Sequence, residues 1–162
     1  MFDSRRKGFE NTVNYMSLLE RSFGIHSSLD GIPSYRAVFL NSEAADTNGE
    51  TITDNGSVGY SGTTGATTTI AGVVKDGSSA DAYSDLNFIP NSNQDYNVTV
   101  TIAGTMILEV AAGETIAIGS AVNVDTVGRA AATGTATTLV ALNAASGAGT
   151  ADNPEYIEVL VR

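Results

Sequence analysis

Apolar positions along this chain change their spacing once. Phe9, Val13, Met16, Leu19 and Phe23 recur at three- and four-residue intervals, which predicts a single amphipathic helix. Asp3 or Ser4 is placed to cap its start, and Gly24 to end it. Burying such side chains is worth about 1.5–3 kcal/mol apiece, whereas an isolated helix of this length is marginal in water. The stripe is therefore expected to lie against something, either the rest of the chain or another chain.

From Tyr35 onward the spacing is two. Tyr96, Val98, Val100 and Ile102 alternate with Asn97, Thr99 and Thr101, and Ile157, Val159 and Val161 alternate with Tyr156, Glu158 and Leu160. Each pattern is that of a half-buried strand. Shorter strands are predicted at 36–40, 67–74, 106–110, 115–118, 121–124 and 137–142, each bounded by Gly, Asn or Asp. Asn48-Gly49 and Asn55-Gly56 are the strongest tight-turn signals. Glycines 56, 59, 62 and 65 fall every third residue but lack the prolines of a collagen repeat, so a flexible exposed loop is expected. The expected fold is mainly β, a short-stranded barrel or sandwich with an N-terminal amphipathic helix or arm. The arm would span 1–33 and the β domain 34–162, the latter divisible into 34–95 and 96–162.

One internal echo favours that division. Residues 58–74 align without gaps on residues 127–143, an offset of 69, with six identities in seventeen positions. The shared pieces are Val-Gly, Thr-Gly (Thr64-Gly65 and Thr133-Gly134) and a Thr-Thr pair before Ile70 or Leu139. A duplicated β unit would produce it.

Composition narrows the function. The 162 residues carry 8 basic and 18 acidic side chains, net −10. Residues 1–36 are net +1 and residues 37–162 net −11. Affinity for nucleic acid or anionic lipid depends on clustered Lys and Arg, so neither partner is expected. Cysteine is absent, which removes disulfides, thiol nucleophiles and Cys-ligated metals. Gly, Ala, Ser and Thr make up 72 residues, so the core is thinly hydrophobic. No apolar run is long enough for a signal sequence or a membrane helix, so synthesis and folding in the cytoplasm of whatever cell makes it are expected.

Candidate chemistry is sparse. A catalytic triad needs a positioned base, and the single histidine, His26, stands beside Ser27, Ser28 and Asp30 with no Gly-x-Ser-x-Gly elbow. A surface or linker histidine is the expectation. Asp46-Thr47-Asn48-Gly49-Glu50 has the look of a calcium loop, but Thr51 and Ser57 stand where the EF-hand needs Gly and Glu. Gly147-Ala148-Gly149 lacks the third glycine, the basic residue and the helix of a phosphate-binding loop. No catalytic residue, metal site or cofactor is expected.

The last third carries a cadence of its own. Ala103-Gly104-Thr105-Met106 and Ala111-Ala112-Gly113-Glu114 precede Gly119-Ser120-Ala121-Val122-Asn123-Val124-Asp125. Then come Val127-Gly128-Arg129-Ala130, Ala141-Leu142-Asn143-Ala144-Ala145-Ser146-Gly147 and Tyr156-Ile157-Glu158-Val159-Leu160-Val161. This order resembles the small capsid decoration, or cement, proteins of tailed bacteriophages. The resemblance implies a β-tulip-like, non-enzymatic virion protein that trimerises on the capsid exterior and clamps the major capsid protein. On that footing residues 2–33 would hold the capsid and trimer contacts. Phe9, Val13, Met16, Leu19 and Phe23 would be the apolar anchors, and Arg5, Arg6 and Lys7 would meet shell carboxylates. The alternative is a tail-fibre or adhesin-type module that binds glycans, for which six tyrosines but no tryptophan are present.

Overall fold

Strand pairing dominates the chain. The computed structural model describes residues 17–26, 29, 31–42, 57–77 and 97–162, and within them the regular elements are strands. They are β1 (Ser17–Ile25), β2 (Ala37–Asn41), β3 (Ser57–Gly59), β4 (Ala66–Asp76), β5 (Asn97–Glu109), β6 (Thr115–Ile116), β7 (Ala121–Val124), β8 (Ala130–Ala131), β9 (Thr135–Ala141), β10 (Ala145–Ser146) and β11 (Tyr156–Val161). The alternating segments became β2, β4, β7, β9 and β11, and two predicted strands run together through Gly104 as β5.

The helical expectation fails where it can be examined. Residues 17–25 form β1, antiparallel to β5 from Ser17↔Gly104 to Gly24↔Asn97 and parallel to β3 at Gly24 and Ile25. A spacing of four is also a multiple of two, so Leu19 and Phe23 fit a strand as well as a helix. Strand wins because β1 satisfies open edges on both β3 and β5 at once, which a helix cannot do. Phe9, Val13 and Met16 lie outside the described residues. The glycine-rich stretch also departs from expectation. Ser57, Val58 and Gly59 are buried in β3, and 60–65 is a turn tied by Tyr60 N–H to Thr63 Oγ1 and by Asn41 Nδ2 to Thr64 O.

Sheet order is β1-β3-β2-β4-β5-β11-β9-β7-β8, and β1 also pairs with β5. That second pairing closes β1, β3, β2, β4 and β5 into a small barrel. The rest of the order reads alike from both ends, β3-β2-β4-β5 answered by β8-β7-β9-β11. Register repeats too. Phe39↔Ile70 and Asn41↔Ala66 set a four-residue step on β4 against two on β2. Ala121↔Val140 and Asn123↔Ala136 set the same step on β9 against β7.

In each bulge a threonine, Thr67 or Thr137, donates its hydroxyl to Leu40 O or Val122 O. The same hydroxyl accepts the N–H two residues on, from Thr69 or Leu139. The asparagines match as well, Asn41 donating to Thr64 O and Asn123 to Ala132 O. A bulged three-strand unit is thus used twice. Its true offset is 70 residues (Ala66 to Ala136), one more than the gap-free sequence echo.

Two cores result. Phe23, Ile25, Val38, Val58, Val74, Val98 and Val100 fill the barrel, every barrel strand contributing, and Ile32 joins them from a connection. The second core lies between the outer wall of the barrel and the C-terminal strands. Ala37, Phe39 and Val73 meet Met106, Leu108, Val122, Leu139, Ile157 and Val159 there. Hence Ala37, Val38 and Phe39 are all buried, since β2 has a core on each face. Gly128 (φ +77) pins the two parts: its carbonyl accepts Ala37 N–H at 2.8 Å, while its own N–H donates to Asp125 O at 3.2 Å. A Cβ at Gly128 would stand 2.3 Å from Ala37 O.

Phe23 is 6% exposed and Leu19 55%. Phe23→Ala is therefore expected to cost about 3–5 kcal/mol, and Leu19→Ala under about 0.5 kcal/mol, in urea unfolding. Equal costs would contradict the strand assignment.

Candidate functional site

Three places hold the polar chemistry of the described residues. The first is the joint between barrel and C-terminal sheet. Tyr35 N–H donates to Val74 O at 2.7 Å, Val74 N–H to Arg36 O at 2.8 Å and Glu109 N–H to Tyr35 O at 3.0 Å. To make these bonds Tyr35 adopts φ +68, a left-handed conformation that costs a non-glycine residue about 1–2 kcal/mol. Its ring stands edge-on to Tyr156 at 5.7 Å. Arg36 Nη1 meets Glu109 Oε1 at 2.7 Å as an ion pair off hydrogen-bond alignment, both side chains largely buried. Burial pushes the Tyr60 phenol up, Arg36 opposes it, and Asp125 and Glu109 add to it.

The second place is a pair of acid-centred turns. Asp125 Oδ1 accepts Val127 N–H at 3.0 Å and Arg129 N–H at 2.9 Å, while Oδ2 takes Arg129 Nε at 2.8 Å. Burial alone would raise the Asp125 carboxyl, but the Arg129 and Val127 hydrogen bonds and the guanidinium charge outweigh it and hold it low. Glu155 is bound more fully. Its Oε1 accepts Ser146 N–H at 2.9 Å and Ser146 Oγ–H at 2.8 Å; Oε2 accepts Gly147 N–H at 3.0 Å and Gly149 N–H at 3.2 Å. The Gly147-Ala148-Gly149 loop is thus an anion-binding nest whose anion is the chain's own carboxylate.

The third place is a groove. β4 pairs with β5 only as far as Val73↔Thr101, and β11 takes over β5 at Gly104↔Val161. Gly72 (φ +149) sits where β4 departs, and a Cβ there would lie 2.1 Å from Thr101 O. Beyond it, among the described residues, 66–70 of β4 has a ladder only with β2, and 135–139 of β9 only with β7. Between these half-paired stretches lies an open groove of about 470 Å3, lined by Thr68, Thr69, Ile70, Thr137, Thr138 and Arg162.

Among the described residues, no Asp or Glu side chain lines that groove. Among the described residues, no group of three or more His, Asp or Glu side chains is placed to hold a metal ion. His26 is not at the surface as expected: it is 5% exposed, its N–H donating to Val58 O. Of the residues expected at an interface, Arg5, Arg6, Lys7, Phe9, Val13 and Met16 lie outside the described residues, as does the acidic run from Asp46. Leu19 is at the surface beside Leu18, which is 71% exposed, and Phe23 is inside the barrel with Arg21 stacked on its ring at 5.2 Å. The bulge between Leu19 and Glu20 separates them, and no sequence pattern announced it. The Glu155 nest was legible only as a weak glycine motif, because its anion lies six residues beyond Gly149. No known family, curated protein or solved structure matches the chain.

Hydrogen bonding, led by Ser146 N–H, holds the Glu155 carboxyl below its ordinary 4.5. A depressed folded pKa contributes stability that is present above the unfolded value and lost as pH falls through the folded one. Glu155→Gln is therefore expected to cost about 1–2 kcal/mol at neutral pH. The gap from wild type should narrow as the pH drops below 4.5 in urea titrations. A gap that widens in acid would contradict the nest.

Proposed function

We propose that this chain is a structural virion protein that decorates the exterior of a tailed-phage head, braces neighbouring major capsid subunits and assembles as a homotrimer. One observation carries the non-enzymatic part of the reading. Most of the described acids are dispersed and engaged in holding backbone or a cation: Glu155 and Glu114 in loops, Asp125 with Arg129, Glu109 with Arg36, Glu20 with Lys75, which leaves Asp76, Asp152 and Glu158 on three separate elements. Acid–base catalysis needs carboxylates converging on a substrate cavity, and these point to separate places. They serve stability.

The order of motifs from Ala103 to Val161 supports the decoration reading, and a small closed barrel with an attached sheet is compatible with the β-tulip-like body it calls for. The exposed Leu18–Leu19 pair at the head of β1 supports a contact that continues into Phe9, Val13 and Met16, with Arg5, Arg6 and Lys7 against shell carboxylates. Phe23 drops out of that contact because the barrel consumes it. Neither nucleic acid nor membrane is a partner in this reading, and no cofactor takes part.

Co-sedimentation with expanded, decoration-free heads tests it. Removing 2–33 would delete a barrel wall, so the cut belongs before Ser17. Deletion of residues 2–16 is expected to abolish head binding while keeping the β circular dichroism, and Leu18→Asp with Leu19→Asp to weaken it. Light scattering should give about 50 kDa, three times 16.7 kDa. Full-length protein that ignores heads and captures glycans on an array would replace this reading with the tail-fibre one.

A further inference from the structure

Half-paired strands attract strands. Among the described residues, the segment 66–70 of β4 and the segment 135–139 of β9 each have a ladder on one side only, and they flank the same groove. Open edges of this kind are templates for strand addition. The groove stands where β11 runs out at Val161, and just beyond it Thr138 Oγ1–H donates to Arg162 O at 3.3 Å. A strand residue occupies about 4.8 by 10 by 3.3 Å, so 470 Å3 takes about three residues. The lining is threonine hydroxyl on both walls with Ile70 as an apolar contact, a surface suited to an extended backbone. It also carries a charge. Among the described residues Arg36, Lys75 and Arg129 are ion-paired and Arg21 lies over Phe23, whereas Arg162, which lines the groove, has no such partner.

We propose that this groove receives an extended segment of a second copy of the chain, added as a strand between β4 and β9 with a carboxylate on Arg162. Charge selects the occupant. Each copy carries 18 acids against 8 bases, so a surface segment of a second copy brings a side-chain carboxylate, which the described lining of the groove does not contain. The donor segment differs from the acceptor groove, so the contact is heterologous, and a heterologous contact closes into a ring when its rotation allows. The proposal deepens the self-association in the reading above by naming its acceptor surface, and it rests on that reading.

Sedimentation velocity of the full chain is the test. Arg162→Glu and Thr68→Trp, one reversing the charge and one filling the groove, are each expected to weaken self-association about tenfold or more, and Arg162→Lys to retain most of it. Both altered positions are exposed, and an unchanged β circular dichroism establishes folding. A photo-crosslinking side chain at position 138 should join two copies of purified protein. A monomeric wild type, or variants that associate as wild type does, would overturn the proposal. The same variants are tested against heads to separate the two ideas. A chain that binds heads without associating through the groove overturns the groove alone, and one that associates through it but ignores heads overturns the decoration reading alone.

Discussion

β5 has to serve two cores, and the rest of the fold follows from how it does so. Its first half pairs with β4 and β1 and faces the barrel interior; its second half pairs with β11 and faces the outer core. Gly104 is the changeover, opposite Ser17 on one side and Val161 on the other. A thirteen-residue strand is long for a domain of this size, where strands of about 5–6 residues are usual. The length is what allows one strand to tie a closed barrel to an open sheet. Because β4 must leave β5 before β11 can arrive, the groove is a direct consequence of the same changeover.

The duplication explains the asymmetry as well as the symmetry. Both halves contain the bulged three-strand unit with its asparagine and threonine bonds, yet only the first half gains a strand equivalent to β1 and closes. The second half remains open and covers its apolar face by lying on the outer wall of the barrel. A thin inventory of large side chains suffices under this arrangement, since β2 and β4 each present residues to two cores. The acids work locally. Glu155 and Asp125 order turns that small residues would otherwise leave loose.

Much of this was legible beforehand where period two was sustained, as in Val98–Ile102 and Ile157–Val161. The short elements were not. β8 and β10 have two residues each and contain no period, and β3 was hidden in a glycine repeat whose third-residue spacing suggested a loop. β1 was misread because Leu19 and Phe23 satisfy both periods, and the deciding fact, two open edges waiting for a strand, is tertiary. The echo at offset 69 pointed to the recurring unit but missed the bulged register by one residue, since a shorter turn before β9 shifts the match.

Native-state hydrogen exchange tests most directly the claim that one continuous β body, with β1 as an integral wall, underlies everything proposed. Amides of Phe23 and Ile25 should exchange only with global unfolding, at the same free energy as those of Val100 and Leu108. Exchange of Phe23 and Ile25 through a low-energy opening, with Val100 and Leu108 still protected, would show a detachable arm instead and would contradict the account.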